Sequence, residues 1–136
     1  GEEIQFLVVY IAEAHALDGP MPNNRPGSPL IEEPETLEER LAVAGRCMVA
    51  LSLAKIPALV DRLDNAALKS YAAFPDRLFL INKQGRISFA GDRGPSGFNP
   101  AALEDAIRKQ LKADTDFRGD DELKADDDMI EESLLQ

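Results

Sequence analysis

The feature that most constrains the fold is a short apolar run, rich in β-branched residues, at residues 4–11. A run of this length and composition predicts a strand buried on both faces. Glu13 and His15 follow it directly, and His15 is the only histidine in the sequence. Because open α/β sheets usually place their chemistry in the loops beyond the carboxyl ends of strands, we expect this strand to deliver a carboxylate and an imidazole to a site.

The net charge of −10 is concentrated near the C-terminal end. Residues 113–136 hold ten acidic side chains against Arg118 and Lys124, so the preceding residues carry a net charge of only −2. This balance disfavours nucleic-acid binding through phosphate contacts. No apolar run approaches the ~20 residues of a membrane span. The sequence therefore predicts one nearly neutral domain at 1–112, no membrane span, and an acidic tail at 113–136 that is partly disordered or a short helix.

Local signals predict the remaining elements. Thr36 and Glu39 form a capping box, which opens a helix extending to about residue 54. Six residues of this helix recur at helical spacing and predict its buried face: Leu37, Leu41, Ala44, Met48, Leu51 and Ala54. The further predicted elements are a strand at 57–61, a helix capped by Asp64-Asn65 and ending near 73, a hairpin at 78–90, and a helix from Asn99-Pro100 to about 112.

The element order is strand, loop, helix, strand, helix, hairpin and helix. This order corresponds to the later part of a thioredoxin-like fold, a three-layer α/β sandwich with a mixed sheet. Such a fold normally begins with one more strand and one more helix, which these residues lack. The missing strand would lie between the strands at 4–11 and 78–82. Since strand edges with unpaired backbone groups are costly, we expect a strand from upstream sequence or from another chain to complete the sheet.

Several segments together resemble the iodothyronine deiodinases, and more closely the bacterial deiodinase-like redoxins. These segments are Val8-Val-Tyr-Ile-Ala-Glu-Ala-His-x-x-Asp-Gly19, Leu37-Glu-Glu-Arg40, Asp64-Asn65, Tyr71, Pro75-x-Arg77-Leu78 and Gly91-x-Arg-Gly-Pro-x-x-x-Asn99. They keep the family's order and spacing from about residue 4 to 112. The sequence departs from the family near Pro34, where a histidine is often found, at Pro20, where a tryptophan is common, and in lacking the segment that carries the nucleophile.

The resemblance implies thiol or selenol redox chemistry, with a cysteine or selenocysteine on the helix that precedes the 4–11 strand. The vertebrate enzymes remove iodide reductively. A small-molecule or thiol substrate is implied, with a thiol reductant as co-substrate and no other cofactor or metal. By motif position, Glu13 and His15 would handle protons and Arg93 would assist substrate binding. Pro75, with a cis peptide bond, and Gly94 would shape the site.

Each of these residues also has a simpler interpretation. Glu13 and His15 have the chemistry for proton transfer, but their spacing alone favours a loop glutamate and a hydrogen-bonded histidine that have no role, and it is the resemblance that favours the functional interpretation. Arg93, flanked by glycines, either faces an anionic or phenolic group or is a solvated arginine at a hairpin exit. Cys47, the only cysteine, falls among apolar residues in the middle of a helix, which favours a core thiol over a nucleophile.

Residues 114–125 of the tail are similar to a calcium-binding loop. Arg118 occupies the fifth position and Ala125 the twelfth, so the bidentate glutamate is missing and no metal site is expected. An apolar stripe at the end of the tail offers a small docking surface, formed by Met129, Ile130, Leu134 and Leu135.

Two functional hypotheses follow. In the first, the chain is the supporting part of a deiodinase-like redox domain whose nucleophile is supplied by other residues. In the second, it is a binding or structural module that kept a thioredoxin-like fold and lost the chemistry. Catalysis of this type needs an activated thiolate or selenolate, for which these residues offer no good candidate. A cysteine or selenocysteine just upstream of Gly1 would favour the enzyme.

Overall fold

Seven helices and strands are present in the described part of the chain, in the predicted order. The computed structural model describes residues 3–22, 26 and 30–134, with side chains described as far as residue 117. In chain order the elements are β1 (Val8–Tyr10), α1 (Leu37–Ala50), β2 (Ala58–Val60), α2 (Ala66–Tyr71), β3 (Phe79–Ile81), β4 (Ile87–Ala90) and α3 (Pro100–Leu134). Most of the calcium-like segment and the apolar stripe of the tail lie outside the described side chains.

These elements belong to two compact units, each with a small sheet. The first unit comprises Gly1–Arg77 and Asp92–Phe98. In it, β1 and β2 pair in parallel and α1 packs against β2. The second unit comprises Leu78–Gly91 and Asn99–Gln136. In it, β3 and β4 pair antiparallel and α3 packs against both strands. Each unit is therefore a mixed α/β structure built on a two-stranded sheet.

The strand β1 is shorter and more exposed than the sequence predicts. None of its three residues is buried, and Val9 is 43% exposed. One edge of β1 is taken by β2: the Val8 amide donates to the Pro57 carbonyl at 3.0 Å, and the Tyr10 carbonyl accepts from the Asp61 amide at 2.8 Å. Since alternate residues present their backbone groups to opposite edges, those of Val9 point to the other edge, where no described strand lies. The predicted burial on both faces is therefore wrong for the described strand.

The helix α1 begins as predicted, and of the residues predicted to face inward Ala44 and Met48 are buried but the three leucines are not. Its capping box is complete: the Thr36 hydroxyl accepts the Glu39 N–H at 3.1 Å, and the Glu39 carboxylate accepts the Thr36 N–H at 3.2 Å. The buried residues are Arg40, Val43, Ala44 and Met48. Leu37, Leu41 and Leu51, predicted to face inward, are 49%, 52% and 61% exposed. The physical reason is that Arg40 faces inward, where its guanidinium donates to the turn between β2 and α2.

The helix α3 continues past residue 112, where the sequence predicts its end, as far as Leu134. Asn99 caps it as predicted, because its side-chain oxygen accepts the Ala102 N–H at 3.1 Å. No proline follows Pro100, so no residue forces the helix to stop earlier.

Asp61 caps α2 in place of the predicted Asp64-Asn65 pair. Asn65 stands at the N-cap position, but its backbone is left-handed, with φ 57°, and its side chain makes no capping hydrogen bond. Instead, the Asp61 carboxylate accepts the N–H groups of Ala67 and Leu68, at 2.9 Å each. The cap therefore comes from the end of β2, and local sequence around the helix start does not reveal it.

The buried Asp61 carboxylate makes stability depend on pH. Burial alone would raise the pKa of Asp61, but three backbone N–H donors and the nearby Arg40 outweigh burial and hold the pKa below its ordinary value of 3.8. A carboxyl that binds protons less tightly when folded stabilises the protein above about pH 4. That stability is lost as the pH falls through the folded pKa.

We therefore expect Asp61→Asn to lower the free energy of unfolding by about 1–3 kcal/mol at neutral pH, and by less at about pH 3. Urea unfolding at the two pH values measures the difference. Asp64→Asn, at an exposed carboxylate paired with exposed Arg62, is the control and should change little at either pH. A loss for Asp61→Asn that is the same at both pH values would contradict this account of the charge.

Candidate active site

Glu13 and His15 lie just beyond the carboxyl end of β1, as the sequence predicts. Glu13 is half-buried and His15 is exposed. No hydrogen bond between described atoms joins the two side chains, but the imidazole lies close enough to lower the pKa of Glu13 electrostatically. The structure thus places a carboxyl and an accessible imidazole together at one end of the first unit.

The Glu13 carboxyl is in an environment that favours its protonated form. Burial is the main cause of its raised pKa, the Glu33 carboxylate raises it further, and His15 opposes both. The Tyr10 hydroxyl donates a hydrogen bond to Glu13 Oε1. A carboxyl with a raised pKa keeps its proton nearer to neutral pH, which suits general acid–base chemistry.

The imidazole of His15 is oriented by the backbone of the following loop. Its Nδ1 lies 2.9 Å from the carbonyl oxygen of Met21. Because a carbonyl oxygen only accepts hydrogen bonds, Nδ1 carries the hydrogen, and in the neutral ring Nε2 has the free lone pair. Nε2 is therefore the ring nitrogen that can accept a hydrogen bond from a ligand.

Glu33 and Arg40 connect the Glu13 backbone to α1. Glu33 Oε2 accepts the Glu13 N–H at 2.9 Å, and Glu33 Oε1 lies 2.9 Å from Arg40 Nη2. Arg40 is only 2% exposed, and its Nη1 donates to the Arg62 carbonyl at 2.8 Å and to Asn65 Oδ1 at 3.0 Å. The sequence did not predict these two residues as part of the site.

Two residues of the site had a local signal that the sequence analysis did not use. Tyr10 is the last residue of β1 and precedes Glu13 by three positions, which allows the hydroxyl to reach the carboxylate. Arg40 ends the Leu-Glu-Glu-Arg segment, one of the segments that carry the family resemblance, although the resemblance assigns Arg40 no role. Glu33 had no comparable signal.

Pro75, Arg93 and Gly94, the other predicted site residues, also belong to the first unit. The Phe74–Pro75 peptide bond is cis, as the resemblance implies. The Arg93 side chain is exposed, and none of the described contacts connects it with Glu13. The structure therefore groups Glu13 with the histidine but shows no link from that pair to Arg93.

The backbone at Gly94 passes directly against Asp76. The Gly94 N–H donates to the Asp76 carbonyl at 3.0 Å, and a Cβ on Gly94 would overlap the Asp76 carboxylate. Oδ1 of Asp76 is buried and has no hydrogen-bond partner among the described atoms. Only glycine fits at position 94 while the carboxylate keeps this place.

Cys47 lies on α1 and is partly buried. Burial first, and the Glu13 carboxylate second, raise the pKa of its thiol above 9.0. A thiol with a raised pKa stays protonated at neutral pH and is a poor nucleophile, in keeping with the predicted core position.

The described residues contain neither a metal-binding cluster nor a membrane-spanning helix. No group of three or more histidine, cysteine, aspartate or glutamate side chains there is arranged to hold a metal ion. None of the helices, over its described residues, has the length and apolarity needed to cross a bilayer.

Comparisons with known proteins point to one family. A family model described as iodothyronine deiodinase matches residues 1–111. The type I iodothyronine deiodinase of Xenopus laevis is 34% identical over 106 residues, which cover 77% of this chain and 39% of that protein. The thyroxine 5-deiodinase of Sparus aurata is 36% identical over 107 residues (76% and 37%), and that of Gallus gallus is 34% identical over 98 residues (72% and 36%). The chain spans less than two fifths of the length of each of these relatives.

Proposed function

The chain belongs to the iodothyronine deiodinase family, and we propose that it is the proton-transferring part of a deiodinase-like thiol or selenol redox domain. In this proposal the sulfur or selenium nucleophile is carried by residues outside this sequence. The observation that carries the proposal is the half-buried Glu13 carboxyl, which accepts a hydrogen bond from the Tyr10 hydroxyl and lies near the exposed His15. The nearer likeness to bacterial redoxins remains a prediction.

The chemistry of the proposal needs a proton donor. In a reductive dehalogenation, the nucleophile takes the halogen and the carbon that loses it must gain a proton. In a thiol-dependent reduction of a disulfide, the leaving sulfur has the same need. Glu13, with its raised pKa, or the protonated His15 supplies that proton. A first molecule of the thiol co-substrate then displaces the halide, or the substrate sulfur, from the nucleophile, and a second displaces the first as a disulfide, which returns the nucleophile to its reduced form.

Cys47 is not the nucleophile in this proposal. The burial and the nearby carboxylate that raise its pKa would leave very little thiolate at neutral pH. This supports a nucleophile on another segment.

The other predicted site residues have supporting roles in this proposal. Arg93 binds the anionic or phenolic group of a small-molecule or thiol substrate, for which its exposed guanidinium is suited. Pro75 and Gly94 shape the part of the site beside Arg93. The close approach of Gly94 to Asp76, the residue after Pro75, supports that assignment.

We also propose that residues 1–112 form a thioredoxin-like three-layer sandwich that lacks its first strand and nucleophile-bearing helix, with 113–136 as an acidic tail, most of which continues α3. The element order and the family support this arrangement. A strand from upstream sequence or from another chain would complete the sheet, and the outward-facing backbone of Val9 supports this. A longer form of the protein in which β1 pairs directly with β3 would contradict the proposal.

The alternative is a non-catalytic binding or structural module with the same fold. Exposed apolar side chains around β1 and β2 favour it: Phe6, Leu7 and Leu59 are 51%, 53% and 56% exposed. Large exposed apolar areas usually mark an interaction surface.

Turnover measurements on Glu13→Gln and His15→Ala test the enzyme hypothesis. In a form of the protein that carries the nucleophile, we expect each substitution to lower kcat for thiol-dependent reduction or iodide release by about 10²–10⁴-fold, because a general acid or base is lost. The melting temperature should stay nearly unchanged, since His15 is exposed and glutamine keeps the shape of Glu13.

Glu32→Gln is the matched control, because it neutralises an exposed carboxylate in the same unit. It should leave both turnover and melting temperature as they are. Parallel losses of turnover and melting temperature in the Glu13 and His15 variants would indicate a structural role. Unchanged turnover in both would favour the non-catalytic module.

A further inference from the structure

The Glu33 side chain lies between the candidate acid Glu13 and the buried Arg40. We infer that Glu33 is a positioning residue, which fixes the backbone of Glu13 through one carboxylate oxygen and sets the electrostatic environment of the Glu13 carboxyl. This deepens the proposed function and rests on it only for the use that is made of the Glu13 proton.

The geometry shows that Glu33 ties the segment after β1 to the segment before α1. Its Oε2 accepts the Glu13 N–H at 2.9 Å, across twenty residues of sequence. Its own N–H donates to Asp18 Oδ1 at 2.9 Å. Next to it, the Leu17 N–H donates to the Ile31 carbonyl at 2.8 Å. The Glu13 backbone is therefore held by a side chain from the segment just before α1, twenty residues away in sequence.

Arg40 gives Glu33 a fixed support. Its Nη2 binds Glu33 Oε1 at 2.9 Å, while Nη1 donates to the Arg62 carbonyl and to Asn65 Oδ1. A guanidinium is planar and rigid, so partners on its two nitrogens fix its orientation. Glu33 and Arg40 thus connect the Glu13 N–H to the turn between β2 and α2 and fix its position relative to that turn.

The charges around Glu13 make Glu33 more than a mechanical support. Four side chains face the Glu13 carboxyl: Tyr10 from β1, His15 from the same loop, Glu33 from the segment before α1, and Cys47 from α1. Of these four, Glu33 contributes the negative charge that opposes ionisation of Glu13, whereas His15 favours it. The same side chain that fixes the backbone of Glu13 therefore helps it to retain its proton.

Two substitutions separate the two effects in the folded chain. Glu33→Gln removes the charge and keeps one oxygen that can accept the Glu13 N–H, while its Nε2, which only donates, then faces Arg40 Nη2. Glu33→Ala removes both. We expect the pKa of Glu13 to fall in both variants, measured by NMR titration of isotope-labelled glutamate carboxyls with the Glu13 signal assigned from Glu13→Gln. We expect exchange of the Glu13 amide hydrogen to rise on the order of tenfold in Glu33→Ala alone, because one hydrogen bond is lost.

Glu32→Gln, one residue away and exposed, is the control and should change neither quantity. A Glu13 pKa that is the same in Glu33→Gln as in the parent chain, or that falls equally in Glu32→Gln, would overturn the inference. The isosteric Glu33→Gln decides the matter if Glu33→Ala does not fold, since a merely structural residue would not shift the titration of Glu13. The measurement needs no turnover, so it fails or succeeds separately from the proposed redox function.

Discussion

Replacing Arg40 by methionine is expected to lower the free energy of unfolding by about 3 kcal/mol, near the lower end of the range for buried ion pairs that lose one partner. Arg40 is 2% exposed, whereas the Glu33 side chain is 33% exposed, so water partly solvates the carboxylate that is left behind. The Arg62 carbonyl and Asn65 Oδ1 also lose their donor. Urea unfolding followed by circular dichroism measures the change.

Arg46→Met is the matched control for this substitution. Arg46 lies on the same helix, carries the same charge and is exposed. Its replacement should alter the free energy of unfolding by less than about 0.5 kcal/mol. Equal losses for the two arginines would show that the loss comes from net charge or helix propensity, and that the contacts of Arg40 contribute little.

Gly94→Ala is the second substitution with a large expected effect, a loss of about 1–3 kcal/mol in the free energy of unfolding. The new Cβ would overlap the Asp76 carboxylate, whose Oδ1 is buried, and the Gly94 N–H holds the Asp76 backbone at 3.0 Å. The carboxylate must therefore rotate away or the backbone must shift. Thermal and urea unfolding of the variant report the cost.

A double-mutant cycle identifies the cause of this loss. Asp76→Ala in the Gly94→Ala background should recover part of the stability, because the side chain that the Cβ meets is gone. Gly45→Ala is the control, since no atom lies within 4 Å of a Cβ there and alanine should stabilise the interior of α1 by about 0.5–1 kcal/mol. Strictly additive effects at positions 94 and 76 would contradict the proposed clash.

Elements set by neighbouring residues could be predicted from the sequence. The Thr36–Glu39 capping box and the Asn99 cap both lie where the sequence places them, because the residues involved are three positions apart. The buried side of α1 and the cap of α2 could not be predicted in the same way. Both depend on the turn between β2 and α2, which Arg40 reaches across 22 and 25 residues of sequence.

The candidate site shows the same division between near and distant contacts. The end of an apolar strand was sufficient to predict Glu13 and His15, and both lie there. Glu33 acts on Glu13 across twenty residues. The segment between them is rich in proline and glycine and has no periodic pattern from which this contact could be predicted. The sequence overpredicts the burial of β1, because an apolar composition shows only that a strand can be covered on both faces. In the structure, β2 is the only described strand that pairs with it.

The double use of the turn between β2 and α2 restricts where this chain can change its length. Asp61 accepts two N–H groups of the first turn of α2, while Arg40 donates to the carbonyl at position 62 and to the Asn65 side chain. One residue inserted at 63 or 64 would move the first turn of α2 away from Asp61 and the Asn65 side chain away from Arg40. Natural insertions and deletions should therefore avoid this turn and collect in the irregular segment between β1 and α1.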